Sequence, residues 1–156
     1  MENNFKQIQV KAKITEAIFL GFNTTSIADN LLDLPPDDSY EFLNELTYEV
    51  IKDKRTIATN VKITILNKDN KNILGFINTK ISILIDNFDE SVIRINEGKT
   101  ELLPFAFMVA ASTAISTTRG MLVMASSNSK ISNAILPLID ATKFIPNSNN
   151  SILKAG

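Results

Sequence analysis

Two segments of this chain alternate between apolar and polar residues for longer than a loop or helix would. Ile57, Thr59, Val61, Ile63 and Ile65 lie on one side of a period-two pattern, with Asn60, Lys62 and Thr64 on the other. Ile73, Gly75, Ile77, Thr79, Ile81, Ile83 and Ile85 repeat it against Asn78, Lys80, Ser82 and Asp86. Successive strand side chains point to opposite faces, so each segment predicts a half-buried strand. The polar run Asn67-Lys68-Asp69-Asn70-Lys71-Asn72 between them is a turn, which makes the pair an antiparallel hairpin. The same period appears at residues 7–15, with Ile8, Val10, Ala12 and Ile14 on one face, and resumes at Leu46-Thr47-Tyr48-Glu49-Val50. Several strands in succession, with helices only afterwards, predict an α+β fold rather than a parallel βαβ sheet.

The alternation fades at Ala17-Ile18-Phe19-Leu20, predicting a strand end covered on both sides and stopped by Gly21 and Asn23. From Phe22 to Leu43 no period is visible, yet the segment carries Leu31, Leu32, Leu34, Pro35-Pro36, Asp37-Asp38, Tyr40 and Phe42. A connection this long and this apolar is expected to lie on the body of the protein and form a surface there. Asn96-Glu97-Gly98-Lys99 reads as a turn. Thr100 and Pro104 predict a helix start, and the helix is expected to reach Thr118 and stop at Gly120. Its middle, Val109 to Ser116, has small side chains on nearly every face, which suits close approach of another backbone. Met121-Leu122-Val123-Met124 reads as a strand or loop. A second helix is expected within 131–145, with Pro137 in its first turn and Pro146 at its end. The Asn- and Ser-rich residues 147–156 are expected to fray.

Composition limits the chemistry. The 156 residues are 44% hydrophobic and include no Cys and no His. Such a chain can bury about 68–70% of its unfolded surface without a disulfide or metal staple, and one domain over residues 1–156 is expected. Without His or Cys, neither a His-based triad nor a thiolate nucleophile nor a typical zinc site can be assembled. Asp37-Asp38 and the group Asp86, Asp89 and Glu90 read as solvated ends of elements, not cation ligands. Arg119-Gly120 reads as a helix end. No glycine pattern for phosphate binding occurs, and no metal or cofactor is expected. A net charge of −1 leaves no positive field for nucleic acid, despite Lys11, Lys13, Lys62 and Lys80 on the polar sheet face. No basic region followed by an apolar run opens the sequence, and the weakly polar stretch Leu102 to Ala111 is far below the ~20 residues of a membrane span. A cytoplasmic protein without membrane insertion is expected.

The order of elements resembles that of the SecB family of protein-export chaperones. Tyr48-Glu49-Val50 is similar to that family's Tyr-Glu-Val where the sheet resumes, and Leu102-Leu103-Pro104-Phe105-Ala106 to its Leu-Phe-Pro-Tyr-Ala at the main helix. Thr118-Arg119-Gly120 resembles its Ser-Arg-Gly, and Pro137 with Asp140-Ala141 and Phe144 its Pro-Val-Asn-Phe-Asp-Ala-Leu-Phe helix. The resemblance covers roughly residues 5–145. It implies a four-stranded antiparallel sheet with helices on one face, a dimer or dimer of dimers, and apolar grooves that hold unfolded polypeptide. By position the groove residues are Leu31, Leu32, Leu34, Phe42, Leu138 and Phe144. The family's outer sheet face is acidic where it docks the SecA motor; here that face bears Lys, which puts the docking in doubt.

The expected function is therefore that of a non-catalytic holdase for unfolded polypeptides, whether in general export or for one dedicated client such as an antitoxin. A scaffold or interaction subunit sharing the fold is the alternative from a second class, since fold does not license function. A carboxylate-dependent enzyme or small-ligand binder is the third.

Overall fold

The computed structural model describes residues 9–96 and 99–146, the strands at 93–96 and 99–102 by their backbone alone. Four strands, β1 (Ala12–Thr24), β2 (Tyr40–Ile51), β3 (Thr56–Asn67) and β4 (Ile73–Ile85), form one antiparallel sheet in the order β1-β4-β3-β2. A separate ribbon pairs β5 (Ile93–Asn96) with β6 (Lys99–Leu102). Among the described residues, three α-helices complete the main elements: α1 (Ser26–Asp29), α2 (Phe88–Ser91) and α3 (Pro104–Ser126). The expected turn between Asn96 and Lys99 falls on residues 97–98, outside the described residues, as do Ile8 and the tail at 147–156.

The expected hairpin is present. Ile57 pairs with Ile83 and Ile63 with Ile77, so the isoleucines at 57, 63, 65, 77, 81, 83 and 85 share one face and are buried there, whereas Ile73, expected on the same face, lies beyond a register shift opposite Leu66 and is exposed. Directly opposed side chains on one face of an antiparallel pair are the unit that stabilises a sheet. Gly75 is required where it stands, because a Cβ there would lie 2.7 Å from the Asn23 carbonyl oxygen.

β1 corrects the sequence reading. It does not end at Gly21 but runs to Thr24, and its register against β4 shifts between Ile14 and Glu16 and again between Phe19 and Gly21. Each bulge inserts an unpaired residue and exchanges the faces that follow. Ala12 and Ile14 therefore share the inner face with Ala17 and Phe19, and then with Phe22. In the run at residues 17–20, Ile18 lies on the outer face opposite Lys80 and Leu20 is the residue the second bulge inserts, and the end is not covered on both sides: Phe19 and Leu20 are exposed.

α3 lies across the inner face of the sheet. Its buried residues Ala106, Phe107, Ala110, Ala111, Ala114, Ile115, Thr118, Leu122 and Ser126 recur every three to four positions, which is the stripe of a helix on a core. The small side chains bring the helix close enough for the Thr79 and Thr118 hydroxyls to hydrogen bond at 2.7 Å inside the core. Two expected boundaries are corrected. Thr100 lies in β6 and Leu103 precedes Pro104, the first helical residue. Gly120 does not stop the helix: it faces open space, and Met121 to Met124 continue the helix instead of forming a strand or loop, with Leu122 on the buried stripe and Val123 and Met124 exposed. Among the described residues, α3 alone would pass for a membrane span by length and composition, but the stripe it buries against the sheet is that of a core helix.

The expected second helix within 131–145 is also corrected. Residues 127–140 form turns and an irregular strap, and only a short 3-10 turn at Ala141–Phe144 is helical, with the Asp140 carboxylate accepting from the Thr142 amide. Ile131, Ala134 and Leu136 of the strap are buried in the core, which offsets the missing helical hydrogen bonds. Pro137 sits in the irregular part, exposed.

Candidate polypeptide-binding groove

Three elements frame the candidate groove: the crossover between β1 and β2 at residues 25–39, the inner face of β2, and the strap at residues 127–146. The crossover opens on α1, where the Thr25 hydroxyl accepts from the Ala28 amide, and Ala28 anchors it in the core. It closes on a 3-10 turn at Asp37–Ser39, after Pro36. Tyr40, Phe42, Leu46 and Tyr48 then lie along the inner face of β2 and line the floor. The strap is fixed to α3 by Arg119, whose guanidinium donates to the Leu136 carbonyl at 2.9 Å and the Pro137 carbonyl at 2.7 Å. That is the role of Arg119, which lies inside the helix and not at its end. The strap's far end is held by the Tyr48 hydroxyl, which donates to the Phe144 carbonyl at 2.8 Å, while the Tyr48 ring meets Phe107 edge to face at 5.1 Å.

Of the six residues expected in the groove, Leu31, Phe42 and Phe144 come together as half-buried side chains packed against one core cluster. Leu34 lines an open cavity of about 470 Å³ with Leu31, Pro35, Pro36 and Lys68. Leu32 and Leu138 instead project from the crossover and the strap, 93% and 92% exposed. Neither lines this cavity or the one of about 480 Å³ between Phe105, Met108 and Ser112 of α3 and residues 139–142. Sequence reasoning missed Ile135, 62% exposed on the strap, and Ile139, packed on the same core cluster as Phe144. Their apolar character inside an expected helix was the available signal.

Electrostatics at the floor is dominated by burial. Burial pushes the Tyr40 phenol up to about 12, assisted by the Asp37 carboxylate, and burial alone pushes Tyr48 up to about 12. Hydrogen bonds from the Thr142 hydroxyl and amide hold the exposed Asp140 carboxyl below its usual range. Folding thus favours neutral tyrosine. That contribution is complete below pH 10 and is lost as pH rises from 10 through 12. Tyr48→Phe, which has nothing to ionise, is expected to lose less stability than the parent across this window, as read by urea unfolding at each pH. Parallel decline of the two proteins would contradict this.

The outer sheet face is charge-balanced rather than cationic. Lys62 pairs with Glu45 at 3.1 Å, Lys80 approaches Glu49 at 3.9 Å, and Lys71 pairs with Glu41. Exposed pairs of this kind contribute about 0–1 kcal/mol each, so they shape the surface potential more than the stability. Among the described residues no three carboxylates gather into a candidate metal site.

No known family's sequence model matches the chain, and no curated protein sequence matches it. Among solved structures, the chain is similar to a Mycobacterium tuberculosis SecB-like chaperone in complex with a ChAD peptide from the HigA1 antitoxin. The superposition has a TM-score of 0.54 and 10% sequence identity, and covers 82% of this chain and 89% of that one. At that identity the likeness is one of fold, and the fold is SecB-like: a four-stranded antiparallel sheet with helices.

Proposed function

We propose that this protein is a SecB-like holdase that keeps unfolded or partly folded polypeptides from aggregating. The observation that carries the reading is the set of large apolar side chains projected from irregular segments beside a half-buried aromatic floor: Leu32 and Leu34 on the crossover, Ile135 and Leu138 on the strap. Clustered exposed apolar residues mark interaction surfaces, and extended chains bind through scattered apolar side chains in such grooves. The fold likeness to a chaperone holding an antitoxin peptide supports a polypeptide as the occupant. Leu31, Leu32, Leu34, Phe42, Leu138 and Phe144 would contact it.

The reading is non-catalytic and places the protein in the cytoplasm. Glu41, Glu45 and Glu49 are each matched by a lysine, so the outer face offers little net acid to an export motor such as SecA. A dedicated client therefore fits better than general export. Self-association into a dimer or dimer of dimers follows from β1, an edge strand with Ile14, Phe19 and Leu20 exposed.

The test is turbidity of a reduced, unfolded model protein with and without the chaperone, on a sample whose mass is read by light scattering. Suppression at roughly equimolar protomer, by an even-numbered oligomer, is expected. Undiminished aggregation at a several-fold excess would remove the holdase reading.

A further inference from the structure

Residues 31–38 run from α1 to β2 without a single buried side chain. Only Leu31, half-buried against the core cluster, ties this wall to the body by burial. Among the described residues, the hydrogen bonds that tie residues 32–38 to a distant segment both come from one side-chain amide. Asn133 Nδ2 donates to the Pro35 carbonyl oxygen and, at 2.9 Å, to Asp37 Oδ1. Asn133 Oδ1 in turn accepts from the Tyr40 hydroxyl. A primary amide offers two N–H donors and one carbonyl acceptor, and here both donors and the acceptor are used, all on the crossover or the first residue of the strand after it.

The backbone of Asn133 is itself fixed. Ile131 and Ala134 on either side are fully buried, and Arg119 grips the strap at Leu136 and Pro137. The side chain thus reaches from an anchored segment to the middle of one that is otherwise held only at its two ends, by Leu31 on the core cluster and by the Lys68 amide donating to the Ser39 carbonyl at 2.7 Å.

We infer that Asn133 is the positioning residue of the groove: it couples the crossover to the strap and sets the spacing at which Leu32 and Leu34 stand from the apolar residues of the strap. The inference rests on the reading of this surface as a polypeptide site and deepens it, since Asn133 itself touches no client. Pre-organised walls bind more tightly than walls that must be ordered on binding, so releasing the clamp weakens binding without removing one apolar contact. Asn133→Asp is the sharpest variant. It keeps the shape, removes both donors and sets a second carboxylate beside Asp37.

The chain has no cysteine, so two introduced ones label cleanly. Spin labels on Asp33→Cys and Lys130→Cys, both exposed positions, read the distance between crossover and strap. A single narrow distribution is expected in the parent, at least twofold broader with Asn133→Asp, together with about tenfold weaker binding of a reduced, unfolded model protein. Asn133→Ala replaces the Asp variant if the latter does not fold, and thermal unfolding of each variant checks that the fold persists. An unchanged distribution width overturns the inference whatever happens to binding. A broadened distribution with unchanged affinity overturns the positioning role while the holdase reading stands. A parent that binds no unfolded protein overturns the holdase reading, and the positioning role with it, while the distribution width still reports whether the clamp exists.

Discussion

Replacing Leu32, Leu34 and Leu138 together by Ser is expected to abolish suppression of aggregation while leaving the fold nearly untouched. Leu32 and Leu138 are more than nine-tenths exposed and Leu34 is 55% exposed, so none of the three contributes much to the core. Substitutions at such positions usually stay within about 0.5 kcal/mol each. At about 2–4 °C per kcal/mol for a chain of this size, the combined shift in thermal midpoint stays under about 6 °C. Leu31 and Phe42 are left out because they pack on the core cluster, so their loss would unfold as well as unbind. Thermal midpoint and turbidity on the same preparation decide. An unchanged midpoint with full holdase activity would show that these leucines are not the binding surface.

The opposite pattern is expected of Phe107→Ala. Phe107 is fully buried between α3 and the sheet and meets Tyr48 edge to face. Truncating a buried Phe costs about 3–5 kcal/mol, which lowers the midpoint by roughly 6–20 °C. Because Tyr48 also holds the Phe144 carbonyl, the strap is expected to loosen as the ring partner is lost. Calorimetry measures the first effect. A shift of no more than about 2 °C would mean that α3 does not pack on the sheet as described.

Periodicity made the sheet legible. The residues at every second position from 57 to 65 and from 77 to 85, most of them isoleucine, leave little freedom in pairing, because a slip of one residue would turn the whole set outward. β1 was legible only up to its first bulge. A bulge is a one-residue event: the first leaves only the polar pair Thr15-Glu16, and the second leaves Phe19-Leu20, two consecutive apolar residues that also suit a doubly buried strand. The strap misled for a related reason. Pro137 suits a helical first turn and Pro146 an end, yet Ile131, Ala134 and Leu136 are buried one by one from an irregular backbone. α3 runs past Gly120 because tertiary burial of Leu122 outweighs the ~1 kcal/mol that an interior glycine costs. At the candidate groove, the exposed leucines could be named from their placement in a long apolar connection. Asn133 could not, since an Asn within a Ser- and Asn-rich stretch carries no mark of the carbonyls it will meet a hundred residues upstream.

The strand order β1-β4-β3-β2 also bears on how the sheet is assembled in time. β2, β3 and β4 follow one another by short turns, so each can zip onto its predecessor as soon as it exists. β1 has no such neighbour. Phe22 meets Ile77, fifty-five residues later, across a span containing two complete strands. Closing a loop of that length, rather than the few residues between β3 and β4, costs about 2 kcal/mol more in chain entropy. During synthesis the apolar side chains of β1 emerge first and find their partner only after β4 has left the ribosome. Until then this chain is itself an unfolded polypeptide with exposed Ile, Phe and Leu, the same kind of segment its own groove is read as holding.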